Sequence, residues 1–295
     1  MIDDATGAVG FRQRLFPLIW AVLYPLRRYL TRFPLQRGKG ILLRRILTPL
    51  LPPGDAEFDL AVPPHNARVG LRYRETLGLS SLLYGTFERA ELNFVSQYLR
   101  PGDSAMDIGA NVGIFSVVMG ATVGTQGAVY AFEPVAANVL RLEKNLQKNT
   151  LGNVEVFPLA LGASDGELQL RMAIDPAYAS LREVEAGFGN GTNVPIQVRR
   201  LDGVWEALGS PPISLVKIDV EGAEMDVLRG AMNFLTTCRP TLLVEANSVR
   251  ELDLLRTHLC GLGYQHLRPE GFVSMNHVFI FPASLQANEK KASYV

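Results

Sequence analysis

Short apolar runs alternate in this chain with segments whose apolar residues recur every three or four positions, and from about residue 104 onward the alternation predicts strand and helix in turn. Ser104 to Ile108 is short and mostly apolar. Ile114, Val117, Val118 and Ala121 then share one helical face, which Phe115 and Met119 widen until the helix must be buried nearly all round. Ala128 to Phe132 reads as the next strand. Val135, Val139, Leu142 and Leu146 stripe a second helix, leaving Arg141, Lys144 and Lys148 to solvent. Val154 to Leu161 and Val194 to Arg200 read as strands. Leu215 to Glu221 follows, with Val216, Ile218 and Val220 on one side and Lys217, Asp219 and Glu221 on the other. A helix starting at Gly222 is expected to carry Met225, Leu228, Met232 and Leu235 on one face. Thr241 to Glu245 is again apolar, and Ser248 with Glu251 has the form of a capping box for a helix striped by Leu252, Leu255, Leu259 and Leu262. Gly263 stops that helix, and Tyr264 to Arg268 with His277 to Phe281 makes a final hairpin. Strands alternating with helices predict an α/β fold.

Upstream the pattern differs. Phe58, Leu60 and Val62 alternate, Pro63 to Asn66 is turn-like, and Val69, Leu71 and Tyr73 alternate again, which predicts a two-stranded hairpin. Leu79 to Tyr84 reads as a short helix, and Thr86 as the N-cap of a helix over Phe87 to Leu99 with Glu88 in its first turn. Tyr84 and Glu88 stand where a lid could close. Residues 1–54 are basic and aromatic-bearing: Leu15 to Leu26 is too short to span a bilayer and holds Pro17 and Pro25. Such a segment either lies on an anionic membrane or packs as an accessory helical arm. The expected organisation is an amphipathic extension over 1–54, a hairpin and helix cover over 55–100, a main domain over 101–284 and a disordered tail over 285–295.

Composition narrows the reading. Twenty-nine basic residues balance 29 acidic ones, which removes the general electrostatic argument for a nucleic-acid partner. Cys238 and Cys260 have no metal or redox spacing and read as small apolar residues of helices, and the four histidines are scattered, so no metal site is expected. No secretory signal is recognised at the N-terminus, and a cytoplasmic protein is expected, peripheral at a membrane if the arm binds lipid.

The chemistry concentrates in two stretches. Asp107-Ile108-Gly109-Ala110-Asn111-Val112-Gly113 has the form of a strand that ends in a glycine turn and restarts as a helix, with glycines where backbone must come close to other atoms. Glu133 closes the next strand, at the distance where an acid commonly takes ribose hydroxyls. The three-glycine spacing of a dinucleotide fingerprint is missing. Acids at both strand ends suit S-adenosylmethionine, whose ammonium and ribose need acceptors. The plainer alternative is that Asp107 caps a turn and Glu133 starts a helix. Small residues around Ala160 could let an adenine ring lie against the backbone. In the second stretch, Lys217 to Glu224, three charges at the end of a central strand are costly unless paired or working. Asp219 and Glu221 are candidate bases and Glu245 a candidate acceptor-orienting residue; a structural Lys217–Asp219 ion pair is the alternative.

DIGANVG, AFEP at Ala131 to Pro134, ALG at Ala160 to Gly162, LD at Leu201-Asp202 and KIDVEGAE at Lys217 to Glu224 stand in an order and spacing that resembles the FkbM family of S-adenosylmethionine-dependent methyltransferases. The resemblance runs from about Tyr84 to Phe281. It implies a class I methyltransferase fold, a Rossmann-like three-layer sandwich on a mostly parallel seven-stranded sheet, here behind an N-terminal helical extension. It implies cofactor contacts at Asp107, Gly109, Asn111, Gly113 and Glu133, and methyl transfer to a hydroxyl oxygen of a small-molecule or sugar acceptor. The rival readings are a divalent cation held by the carboxylates, a nicotinamide oxidoreductase, and a non-catalytic membrane-attached module.

Overall fold

The computed structural model describes residues 51–52, 55–84, 87–171, 193–272 and 275–282. The basic arm up to residue 50, the glycine-rich loop before Asn193 and the polar tail lie outside the described residues. The chain divides into two compact units, Met1–Leu60 with Gly70–Phe87, and Ala61–Val69 with Glu88–Val295.

In the first unit Leu51, Leu79 and Leu82 bury against Phe58 and Tyr73. The Arg74 guanidinium donates to the carbonyls of Leu51 and Pro52. The expected hairpin is present as β1 (Glu57–Val62) and β2 (Ala67–Arg72), followed by α1 (Thr76–Tyr84).

The second unit is built on α2 (Arg89–Tyr98), β3 (Ser104–Ile108), α3 (Ile114–Val123), β4 (Ala128–Phe132), α4 (Ala136–Lys148) and β5 (Val154–Phe157). It continues with β6 (Ala160–Leu161), β7 (Gly166–Arg171), β8 (Asn193–Arg199), α5 (Leu201–Ala207), β9 (Leu215–Ile218), α6 (Glu224–Arg229) and α7 (Met232–Thr237). It ends in β10 (Thr241–Glu245), α8 (Val249–Gly261), β11 (Gln265–Leu267) and β12 (Asn276–Ile280). Seven strands form one sheet in the order β11-β12-β10-β9-β3-β4-β5. From β10 to β5 every pairing is parallel, whereas β12 runs antiparallel to both its neighbours. Strand order reverses between β3 and β9, the switch point outside whose carboxyl ends open α/β sheets bind ligands. All four residues of β9 are buried, as expected of a parallel strand covered on both faces. In α3 every residue but Ala121 is buried, which accounts for its nearly all-apolar surface. A smaller sheet, β6-β8-β7, packs Leu170, Ile196 and Val198 against Val135 and Ala160.

Several local expectations change. The strand expected over 154–161 divides at Pro158, which has no N–H to give a ladder, and Ala160–Leu161 pairs instead with β8. The helix expected from Gly222 is two short helices, α6 and α7. The Gly230 carbonyl accepts the Asp202 N–H at 2.9 Å, and the Asp202 carboxylate takes the N–H groups of Asn233 and Phe234 at the start of α7. Met232 is consequently exposed rather than part of the stripe. Arg141 is buried, not in solvent, because it shares a strip of α4 with the buried Asn138 and Asn145. Helix α2 begins at Arg89, so Glu88 is its N-cap and not a first-turn residue. Cys260 is exposed, contrary to its reading as a small apolar residue. None of the described helices is long and apolar enough to cross a membrane.

Candidate active site

The sheet register assembles the site. Ile108 pairs with both Phe132 and Ile218, and Ile218 also pairs with Val244. One residue further along, Glu133, Gly109, Asp219 and Glu245 therefore stand in a row at the carboxyl edge, and Glu245 itself pairs with Asn276 of the reversed strand β12. The glycine turn and the acids of the second motif are neighbours.

Gly109 has φ +82, and a Cβ there would lie 1.8 Å from the Asp219 carbonyl oxygen. Gly113, the N-cap of α3, has φ +87 and would set its Cβ 2.2 Å from Leu142 Cδ1. Packing against β9 and α4 thus imposes both glycines, a different cause from the close approach of a bound molecule expected for part of this turn. Asn111 also adopts a left-handed conformation, φ 51. The N–H groups of Gly109 and Ala110 both donate to the Phe132 carbonyl at 2.9 Å, and Asn145 Nδ2 donates to the Val112 carbonyl at 2.8 Å. Two strands and a helix hold the bend.

Glu133 is buried. Its Oε2 accepts the Asn111 N–H at 2.8 Å, while Oε1 accepts the Val135 N–H at 2.9 Å and Asn138 Nδ2 at 3.4 Å. It starts the helix, as the plainer reading has it, and it also ties that helix to the glycine turn. Burial pushes its carboxyl above the usual range against these hydrogen bonds. Asp107 has no accessible surface. Its Oδ2 accepts from Ser116 Oγ, and Oδ1 has no hydrogen-bond partner among the described residues. Burial raises its pKa, opposed by Lys217.

Lys217 is the counter-ion beneath the row. Its ammonium lies 2.9 Å from Asp219 Oδ2 with only 3% of the side chain exposed, and sits 4.6 Å from the centre of the Phe115 ring. Burial alone would lower its pKa, but Asp219, Asp107 and Glu88 outweigh that and hold it charged. Asp219 keeps 24% of its side chain exposed. Burial would raise its carboxyl, yet Lys217 and a hydrogen bond with Glu245 leave it below the usual value. Glu245 holds the proton of that pair: burial and the Asp219 charge push it up to about 9. Glu221 lies past the end of β9 in a left-handed turn, φ 52, so strand alternation does not orient it as the sequence pattern suggests. Burial and the charges of Asp219 and Glu224 push its carboxyl up to about 7.

Of the residues expected to form the site, Asp107, Gly109, Asn111, Gly113, Glu133, Asp219, Glu221 and Glu245 gather at one sheet edge. Ala160 lies in the smaller sheet, in the small core that also includes Val135, and not in the row. Sequence reasoning missed Glu224 and Asn276 and read Glu88 as part of a lid with Tyr84. Glu224 accepts the N–H groups of Val220 (3.2 Å) and Gly222 (2.9 Å) and so fixes the turn bearing Glu221. Glu88 and Asn276 meet at 3.2 Å across 188 residues of chain, a contact with no sequence signal. Among the described residues, no group of three or more His, Cys, Asp or Glu side chains is arranged to hold a metal ion.

The edge fits a donor that brings hydroxyls: Glu133 Oε2 retains an acceptor position beside Asn111, whereas Asp107, with no accessible surface, lies out of a ligand's reach.

Comparison with known proteins agrees. The methyltransferase FkbM domain matches residues 107–266, more than half of the 295-residue chain. The chain is 31% identical over 206 residues to the AMB antimetabolite synthetase AmbE of Pseudomonas aeruginosa, a match covering 54% of this chain and 10% of that protein. It is 29% identical over 133 residues to the hexuronic acid methyltransferase AglP of Haloferax volcanii, covering 45% of this chain and 52% of AglP. The chain thus spans about half of AglP and a small part of AmbE. The crystal structure of a methyltransferase FkbM from Methylobacillus flagellatus aligns with a TM-score of 0.45 at 18% identity, over 69% of this chain and 52% of that one. With its motifs in order and the domain matched from the glycine turn to the last hairpin, this chain belongs to the FkbM family of S-adenosylmethionine-dependent methyltransferases.

Proposed function

We propose that the protein transfers a methyl group from S-adenosylmethionine to a hydroxyl oxygen of a small-molecule or sugar acceptor, with Glu221 as the base. The observation that supports this most is the abutment of the glycine turn on Asp219, which puts donor-holding backbone and a group of titratable carboxyls at one edge. The glycine turn and Glu133 would hold the cofactor, which would supply a methyl carried on a sulfonium and keep on sulfur the electron pair of the carbon–sulfur bond given up. Because the donor is already activated, the protein's largest contribution is to align the acceptor oxygen with that carbon.

The hydroxyl must also lose its proton as the new carbon–oxygen bond forms. Asp219, held ionised by Lys217, is a weak base, whereas Glu221 titrates near neutrality and suits the task. Asp219 and the protonated Glu245, joined by one hydrogen bond, are the pair assigned to orient the acceptor. The hexuronic acid acceptor named for AglP gives some support to a sugar-like substrate.

The test is transfer of label from methyl-labelled S-adenosylmethionine into an extract of the host's glycans and small molecules. Wild type should label at least one acceptor. Glu221→Gln should label at least about 100-fold more slowly while binding the donor within a few-fold of wild type. Normal labelling by Glu221→Gln would remove the base from this scheme.

A further inference from the structure

Glu245 is held by two partners of opposite kind. Its proton goes to the hydrogen bond with Asp219, while its Oε2 accepts from Asn247 Nδ2 at 3.2 Å. An ionised Asp219 only accepts and an amide N–H only donates, so between them they fix how the Glu245 carboxyl is turned. With one hydrogen bond alone, the torsions of a glutamate side chain keep several choices; a second bond removes most of them.

Asn247 is in turn placed by its backbone. Its N–H donates to Glu251 Oε2 at 2.8 Å, and the Glu251 N–H donates to Ser248 Oγ at 3.2 Å, the cap of α8. The preceding Ala246 N–H donates to the Met275 carbonyl at 2.8 Å. The helix start and the approach to β12 therefore pin the chain from which the amide reaches Glu245. Asn247 itself is exposed. Water would satisfy an exposed amide, so its bond to Glu245 adds little to stability, and its consequence falls on the carboxyl it holds.

We propose that Asn247 is a positioning residue for methyl transfer: its side-chain amide keeps Glu245 turned toward Asp219, so that the pair meets the incoming hydroxyl already arranged. This rests on the methyl-transfer reading above. A carboxyl ordered beforehand need not be ordered at the moment of reaction, and that saving appears as rate.

Labelling of the host extract with methyl-labelled S-adenosylmethionine is compared in wild type, Asn247→Ala, Glu245→Ala and the double variant. Asn247→Ala keeps the N–H that Glu251 accepts, so it should unfold at the wild-type urea concentration and bind donor within about twofold by calorimetry. It should label about five- to tenfold more slowly, the loss of one hydrogen bond. With Glu245→Ala already in place there is no carboxyl to hold, and the same change should cost less than about twofold. A residue that served only the fold would slow both backgrounds alike. Equal losses in the two backgrounds, or wild-type labelling by Asn247→Ala, would overturn the assignment. If Asn247→Ala does not bind donor, Asn247→Ser takes its place with the same expectations. If Glu245→Ala labels too slowly to measure, carbon-13 titration of the Glu245 carboxyl decides. Without the amide its ionised form loses a donor, and the midpoint should rise from about 9 by about half a pH unit or more; an unmoved midpoint overturns the assignment. No wild-type label would overturn methyl transfer itself, and the inference with it.

Discussion

Replacing Gly109 and Gly113 separately by alanine tests whether the glycine turn is braced against the strand that carries the acids. Both residues have φ above +80, so each alanine accepts a left-handed conformation costing about 1–2 kcal/mol. Their surroundings differ. At Gly109 the new Cβ would lie 1.8 Å from the Asp219 carbonyl oxygen and 2.8 Å from its carbon, all of it backbone. Relief requires β3 and β9 to part, which breaks the 3.0 Å bond from Asp219 N–H to the Ile108 carbonyl. Leaving those groups unpaired adds about 1–3 kcal/mol. At Gly113 the obstacle is the end of the Leu142 side chain at 2.2 Å, which can turn aside for about 0.5–1.5 kcal/mol. Gly109→Ala should therefore cost about 2–5 kcal/mol and Gly113→Ala about 1.5–3.5 kcal/mol. Urea unfolding measures both, and calorimetry with S-adenosylmethionine measures what remains of the turn. Gly109→Ala should weaken donor binding and slow labelling by about 100-fold, since misplacing reacting groups by near 1 Å costs rate of that order. The reasoning is refuted if Gly109→Ala is as stable as Gly113→Ala and binds donor like wild type.

Lys217→Met should destabilise by about 3–5 kcal/mol, because it strips a buried cation from Asp219 and Asp107; chemical denaturation reads this directly. Labelling activity should rise about tenfold per pH unit below neutrality and level off near pH 7, where the Glu221 carboxyl ionises, and Glu221→Gln should abolish that limb of the profile. Glu245 is raised from 4.5 to about 9, so the folded state binds its proton more tightly than the unfolded chain, and stability falls as pH climbs through that window. Glu245→Gln cannot ionise and its amide can still donate to Asp219. Its melting temperature should thus drop less than that of wild type between pH 5 and pH 9, and an unchanged drop would count against the shared proton. Ser248→Ala, which removes the acceptor for the Glu251 N–H at 3.2 Å, should cost about 1 kcal/mol in the same unfolding assay.

The parts of this fold that could be read in advance are those whose cause is local. Central strands such as Leu215–Ile218 and the helix Ile114–Val123 announce themselves because burial on all sides demands continuous apolar sequence. The Ser248–Glu251 cap is a contact between near neighbours, and it is present. Expectations failed where distant chain decides. Nothing near Gly230 reveals that its carbonyl meets the Asp202 N–H, so the helix there reads as unbroken. The site shows the same division. Its acids are visible as strand endings, but the pairing of Glu88 with Asn276 depends on a reversed strand 188 residues away. Asp107 looked like a ligand acceptor by position, and only three dimensions reveal it sealed beneath the turn.

Because β12 runs against its neighbours, it contributes its first residue to the edge where the other strands contribute their last. The hairpin segment arriving there bonds directly to the chain leaving β10, with the Ala246 N–H donating to the Met275 carbonyl at 2.8 Å. Insertions or deletions in that connector can reshape this end of the row while the backbone bonds around Gly109 stay as they are. On the proposed scheme, donor contacts and acceptor contacts fall on separate stretches of polypeptide, which leaves the second free to diverge.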